Sequence, residues 1–356
     1  MTISVQSIEP DEYSKWNLLL KSDPLSTYRA GLSFAHTQKL NNRSVTTYIF
    51  SLNGEDIAGA HYSLKQYGKG VIRIADILQG VILNRTDQPE VLSYVISHFL
   101  NWAEEKQASY VRINPSLPAA VGRKEQPRAK LTENLLVSHG FKIVDKPLFS
   151  YWINLSLSEE EILKRMKPTA RAKVNKALRS DIIVKTTDSP DHDTLKLFYR
   201  LYEKMMDSKG IKALSQERLR AEVEALFSDK IAIAITVLSD TIATNIAIVT
   251  NAGLSAYYHG ALNALNKIER GSLSPGFITQ YTAIRLMREN GYQYYDMALC
   301  PGEVPQKTHP QFDIWRFKHS FGGDFVEYMP VYGRVLKPLK GKLFHWYRYA
   351  RVSKQR

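Results

Sequence analysis

Hydrophobic and polar positions follow two periods along this chain, and the order in which the periods appear occurs twice. Residues 46–50 and 57–64 read as strands on either side of Asn53-Gly54, a dipeptide that favours the tight turn of a β-hairpin. A third strand is predicted over 71–83. Residues 89–106 then switch to a helical period, with Val91, Leu92, Val95, Ile96, Phe99 and Trp102 on one face. A strand at 109–113 and a helix at 129–138, stopped at Gly140, complete the first series. The second series begins with a strand at 230–238, turns at Ser239-Asp240 and returns over 242–250. After Asn251-Ala252-Gly253 come a strand at 254–260, a helix from Pro275 to Glu289 and a strand at 292–299.

Between the two series lies a helical connector. Ser158-Glu159-Glu160-Glu161 has the form of a capping box, with acidic side chains on the positive end of a helix. Pro168 is placed to begin a second helix as its first residue. Further helices are predicted over 193–208 and 215–227. A duplicated α/β unit with a boundary near residue 155 follows from this order.

Composition narrows the class. At 356 residues, 44% hydrophobic and 23% charged, the chain suits two globular domains. The single cysteine, Cys300, excludes an intramolecular disulfide and any multi-cysteine zinc site. The longest clean apolar run, 231–238, is too short to cross a bilayer, and the first residues lack the pattern of a signal peptide. A cytoplasmic setting is the expectation.

Charge is more informative. There are 48 basic against 35 acidic residues, a balance of +13. Seven basic residues and no acid fall within 162–180, and eight with no acid from residue 328 onward. Setting these fifteen aside leaves 33 basic against 35 acidic residues, so two short segments make the chain basic. The second also carries Phe344, His345, Trp346, Tyr347 and Tyr349. Basic residues interleaved with aromatics suit a nucleic acid or an anionic membrane surface, or form a solvated tail.

Several chemistries are missing. No phosphate loop, no dinucleotide fingerprint, no HExxH spacing and no GxSxG elbow occurs. Cys300 beside Pro301 and Gly302 is either a nucleophile or a small apolar residue. Group transfer from an activated donor, or binding alone, remains.

The run Phe312-Asp313-Ile314-Trp315-Arg316-Phe317-Lys318-His319-Ser320-Phe321-Gly322-Gly323, followed by Val326-Glu327-Tyr328, resembles the FKxxFGG signature of the FemABX peptidoglycan-bridge aminoacyltransferases. Gly291 to Met297 is similar to that family's strand ending in Tyr-Asp, and the order of elements is similar over nearly the whole chain. The stretch Leu78-Gln79-Gly80-Val81 departs from the family pattern, lacking its Arg and Pro.

The resemblance implies an α/β (α+β) fold of two tandem GNAT-like acyltransferase domains, each a mixed twisted sheet flanked by helices. The expected division is 1–155, then 156–335 opening with the basic helices, then a basic aromatic tail at 336–356. It implies an aminoacyltransferase with aminoacyl-tRNA as co-substrate, no cofactor, and an amine acceptor such as a muropeptide precursor. Acyl-CoA-dependent N-acyl transfer to a polysaccharide or lipid-linked intermediate is the alternative, and a non-catalytic RNA- or membrane-binding protein a third. The tail offers peripheral contact with the inner face of an anionic membrane.

Lys318 is the candidate for stabilising an oxyanion; otherwise its stem covers Phe317 and Phe321 while its head stays in water. Asp296 either orients an amine, accepts a proton or caps the following loop. Phe317, Tyr258, Lys209 and Lys39 are candidate substrate contacts. Tyr257 and Tyr258 must face opposite ways on a strand, and Tyr258 is preferred. Arg171, Lys173 and Lys176 are candidate contacts to tRNA or another polyanion.

Overall fold

The computed structural model describes residues 3–8, 12–68, 70–83, 88–208, 210, 213–239, 242–263 and 274–338. Lys209 and all but the first three residues of the basic tail lie outside them. The chain opens with strand β1 (Ile3–Ser7) and helix α1 (Tyr13–Ser22), then a 3-10 turn over Tyr28–Ala30 and helix α2 (Leu32–His36). A meander follows: β2 (Arg43–Leu52), β3 (Glu55–Tyr67) and β4 (Ile72–Leu83). Helix α3 (Pro89–Glu105) leads to β5 (Tyr110–Ile113), the ribbon β6 (Pro118–Val121) and β7 (Lys124–Glu125), α4 (Pro127–Ser138), β8 (Lys142–Asp145) and β9 (Phe149–Asn154).

The second half begins with α5 (Glu159–Arg165), α6 (Pro168–Leu178), β10 (Ile183–Thr187), α7 (His192–Ser208) and α8 (Gln216–Ser228). It continues through β11 (Ala232–Ser239), β12 (Ile242–Asn251), β13 (Ser255–Leu262), α9 (Pro275–Glu289) and β14 (Tyr294–Asp296). It closes with α10 (Phe312–His319), β15 (Asp324–Tyr328) and β16 (Val331–Val335).

The local signals explain these elements. Asn53 and Gly54 both take positive φ, as the predicted turn requires, and join β2 to β3. Ser158 and Glu161 form both halves of the capping box that starts α5, and Pro168 is the first residue of α6. The apolar face of α3 is buried against the first sheet, with Val95 and Phe99 fully enclosed.

Two mixed sheets result, ordered β1-β2-β3-β4-β5-β16-β8 and β10-β11-β12-β13-β14-β9-β15-β6-β7. The meander–helix–parallel strand order occurs in each: β4 pairs in parallel with β5, and β13 with β14. The sheets do not part at residue 155. Strands β6, β7 and β9 lie in the second sheet, although they precede that residue, and β16 lies in the first. Each half lacks the strands that complete its own sheet, and the other half supplies them. A shared core also joins the halves, in which Trp16, Leu19 and Phe34 pack with Phe198, Leu226 and Ile248.

Strand β14 is shorter than the predicted 292–299. Ala298 adopts a left-handed backbone (φ 65) and turns the chain out of the sheet just past Asp296. That turn shapes the site.

Candidate active site

Strands β13 and β14 pair at only two positions, Ser255 with Tyr295 and Ala256 with Asp296. Beyond them β13 runs on beside β12 to Leu262, while the chain after Asp296 bends away. The parting strands leave a wedge, and Lys318 enters it from α10. Its Nζ donates to the Leu299 carbonyl at 2.8 Å and lies 5.9 Å from the centroid of the Tyr257 ring. Only 7% of Lys318 is exposed. Burial pushes its pKa down to about 8, against the pull of Asp296 and then Cys300. The alternative of a surface lysine with its head in water does not hold: the stem is covered and so is the ammonium.

Asp296 is also buried, and three donors occupy its carboxylate. Ser150 Oγ and the Ala298 N–H (2.8 Å) donate to Oδ1, and the Tyr328 hydroxyl donates to Oδ2 at 2.6 Å. It therefore caps the following loop and faces Lys318 as well. Trp152 Nε1 donates to the Tyr328 hydroxyl at 3.2 Å, which fixes the orientation of that donor. Cys300 is buried, and burial pushes its thiol up, away from the reactive thiolate.

The FKxxFGG run acquires a structural reason at Phe317, Lys318, Phe321 and Gly322. Phe317 and Phe321 pack edge-to-face at 5.3 Å, and Phe317 meets Phe277 at the start of α9 at 5.1 Å. Gly322 has φ 74, and any Cβ there would meet the Arg165 carbonyl. The Lys167 N–H donates to the Ser320 carbonyl at 2.9 Å, so the basic connector is tied to the lysine-bearing segment.

Tyr258 belongs to a second cluster. Its hydroxyl donates to the buried Glu222 at 2.6 Å, and Arg218 Nε donates to the other Glu222 oxygen at 2.8 Å. Its ring sits edge-on to Tyr28 at 5.1 Å, so residues from both halves meet here. His259 packs against Tyr202 and Tyr258. Burial pushes its pKa down to about 4, and the charges of Lys318, Arg29 and Arg218 add to that shift against Glu222. Tyr257 and Tyr258 do point apart, and Tyr257 is the one whose ring faces Lys318. Glycine at 260 leaves room for the Tyr257 hydroxyl.

The remaining candidates are dispersed. Lys39 is exposed on the 3-10 turn Thr37–Asn41, and Lys209 lies outside the described residues. On α6, Ala170, Val174 and Ala177 face inward, while Lys173 and Lys176 project outward and Arg171 is half-exposed. Lys173 Nζ lies 4.5 Å over the Phe277 ring. Lys164 and Arg165 line an open groove of about 770 Å³ at the Asn154 end of β9, where Arg165 pairs with Asp324 at 3.0 Å. Ser150, Glu222 and Arg29 were not singled out by the sequence. Among the described residues no cluster of side chains could hold a metal ion, and no helix is long and apolar enough to cross a membrane.

Two mixed sheets of this order, each with one parallel strand pair, define a tandem GNAT-like fold. A sequence profile described as the FemAB family matches residues 12–239. The chain belongs to the FemAB family, the peptidoglycan-bridge aminoacyltransferases that its C-terminal run resembles. Solved structures agree in fold. FemX superposes with a TM-score of 0.79 at 18% identity, covering 96% of this chain and 99% of that one. L-PGS from Bacillus licheniformis gives 0.56 at 12% identity over 96% of each chain. A tandem GNAT protein from the clavulanic acid biosynthesis pathway gives 0.51 at 10% identity over 94% and 98%. No curated protein matches the sequence.

Proposed function

We propose that this chain moves an amino acid from aminoacyl-tRNA to an amine of a peptidoglycan precursor or a related peptide. The donor ester is already activated, so the protein has to align two substrates and stabilise the charge developing on the carbonyl oxygen. The amine nitrogen attacks the ester carbon. A C–N bond forms, the C–O bond to the ribose breaks, and the proton lost by the amine ends on the departing hydroxyl. The reading requires no cofactor.

The observation that carries this reading is the buried ammonium of Lys318 in the wedge between β13 and β14. A lysine with a pKa of about 8 remains a cation at neutral pH, and its few covered neighbours leave its charge poorly screened. Lys318 is assigned to the oxyanion, and Asp296 to orienting the incoming amine through the acceptor position that its three donors leave open. Phe317 and Tyr258, with Lys39 and Lys209, are assigned to the acceptor side. Arg171, Lys173 and Lys176 are assigned to phosphates of the tRNA. The reaction is assigned to the cytoplasm, with peripheral contact between the basic tail and an anionic membrane.

The test uses labelled aminoacyl-tRNA and an amine-bearing precursor peptide. Label should pass to the peptide only with both substrates, should be lost on prior ribonuclease treatment, and should fall by roughly 10²–10³ in Lys318→Met. Consumption of acyl-CoA in place of aminoacyl-tRNA, or near wild-type turnover by the variant, would overturn it.

A further inference from the structure

The basic face of α6 is joined to Lys318 through aromatic rings. Helix α6 carries no acidic residue, and Ala170, Val174 and Ala177 face the core while Lys173 and Lys176 face solvent. Lys173 reaches across to the first turn of α9, where its Nζ lies 4.5 Å from the centroid of the Phe277 ring. Phe277 in turn meets Phe317 edge-to-face at 5.1 Å, and Phe317 immediately precedes Lys318 on α10. Two rings therefore bridge the basic helix and the buried lysine.

The two faces of Phe277 differ. One stacks on Phe321 at 5.5 Å and 21°, and Phe321 is buried. The other lies under Lys173, an exposed side chain, so this is the face turned towards solvent. The ring is half-buried and braced by two phenylalanines, which leaves it little freedom to lose on binding a ligand. An exposed cation–π contact is weak and a lysine stem is flexible, so the Lys173 ammonium can leave the ring when each finds a better partner. A nucleotide brings both partners, a phosphate for the ammonium and a flat base for the ring.

We propose that the unpaired 3′-terminal nucleotide of the donor RNA stacks its base on Phe277, in place of the Lys173 ammonium, which moves to the adjoining phosphate. This rests on the reading of the donor as aminoacyl-tRNA. In that reading the phosphates lie along α6 and the ester carbonyl lies at Lys318, so the last nucleotide has to cross the interval that Phe277 occupies. Every base has a π-face, so Phe277 supplies affinity and placement of the ester and does not select a sequence.

Two aminoacylated RNA hairpins test this, alike in sequence and amino acid, except that the 3′-terminal nucleotide carries its base in one and is abasic in the other. The wild-type protein should show a KM for the intact donor about tenfold to a hundredfold below that for the abasic one. Phe277→Leu keeps an apolar side chain against Phe317 and Phe321 but has no ring. It should raise KM for the intact donor to that of the abasic one and leave the abasic value unchanged. Phe277→Tyr should restore the preference. A thermal melt of each variant confirms folding. Equal KM values in the wild type, a preference that survives Phe277→Leu, or an equal loss on both donors overturns the proposal. Transfer from neither donor by the wild type overturns the aminoacyl-tRNA reading itself, and this inference with it, so the two failures are told apart.

Discussion

Replacing Lys318 by methionine should make the protein more stable at neutral pH while disabling it. The ordinary lysine pKa is 10.5 and that of Lys318 is about 8, so keeping the ammonium buried at pH 7 costs about 3 kcal/mol, at ~1.4 kcal/mol per tenfold change in proton affinity. Methionine is unbranched and apolar and fills the same space without that cost. Against this, the hydrogen bond to Leu299 is lost, worth about 1–1.5 kcal/mol. The net expectation is a gain of about 1–2 kcal/mol at pH 7.

The sign depends on pH in a way no packing change imitates. Below about pH 8 both folded and unfolded chains carry the proton, and the penalty is constant. Between about 8 and 10.5 the unfolded chain still binds the proton and the folded one does not, so wild-type stability rises with pH. The variant lacks this rise, and its advantage should shrink across that window. Urea titrations of both proteins at pH 7, 8.5 and 10, at fixed ionic strength, measure the difference, from which groups titrating alike in both cancel. A variant less stable than wild type at pH 7, or a gap unchanged to pH 10, would refute the description of Lys318 as a buried cation.

Three further outcomes are expected. Asp23→Ala strands Arg128, which donates to both Asp23 oxygens at 2.7 Å in a buried pair, and should cost about 3–5 kcal/mol in chemical denaturation; a loss below 1 kcal/mol would show the pair is not sequestered. His61 is pushed down to about 4 by burial, so the unfolded chain takes up a proton first and stability falls as pH drops from 6.5 towards 4. His61→Gln should flatten that acid limb, and an identical profile would dismiss His61 as a contributor. Neutralising Arg171, Lys173 and Lys176 together should weaken tRNA binding and lower its salt slope by up to about 3, without shifting the thermal midpoint; an unchanged slope would mark these residues as bystanders.

What the sequence made legible was local. The period of α3, the Asn53-Gly54 turn and the capping box at Ser158 all act within a few residues, and each lies where the pattern placed it. Lys318 was found because it sits inside a compact motif. The donors that hold Asp296 were not, because nothing in the chain near it points to Ser150, which lies 146 residues before it. Glu222 is similarly concealed: an exposed-looking acid in a helix of modest amphipathicity, buried only because Tyr258 arrives from another element. The short strands β6, β7 and β9 carry too few residues to show a period, and their place in the second sheet depends on non-local pairing. Ala298 illustrates the limit most simply, since an alanine with positive φ ends β14 without any glycine to announce it.

The exchange of strands between the sheets has a consequence for how the molecule comes into being. As synthesis proceeds, the first sheet reaches β5 and must wait for more than 200 residues before β16 can slot between β5 and β8. Meanwhile the edge of β5 is unpaired and open to wrong partners. The two halves therefore cannot be cut apart at residue 155 and expected to fold alone, and stability should be gained cooperatively, late, and as one unit. Any lesion near the end of the chain, even one that removes only Val331 to Val335, is felt first in the sheet that was made earliest.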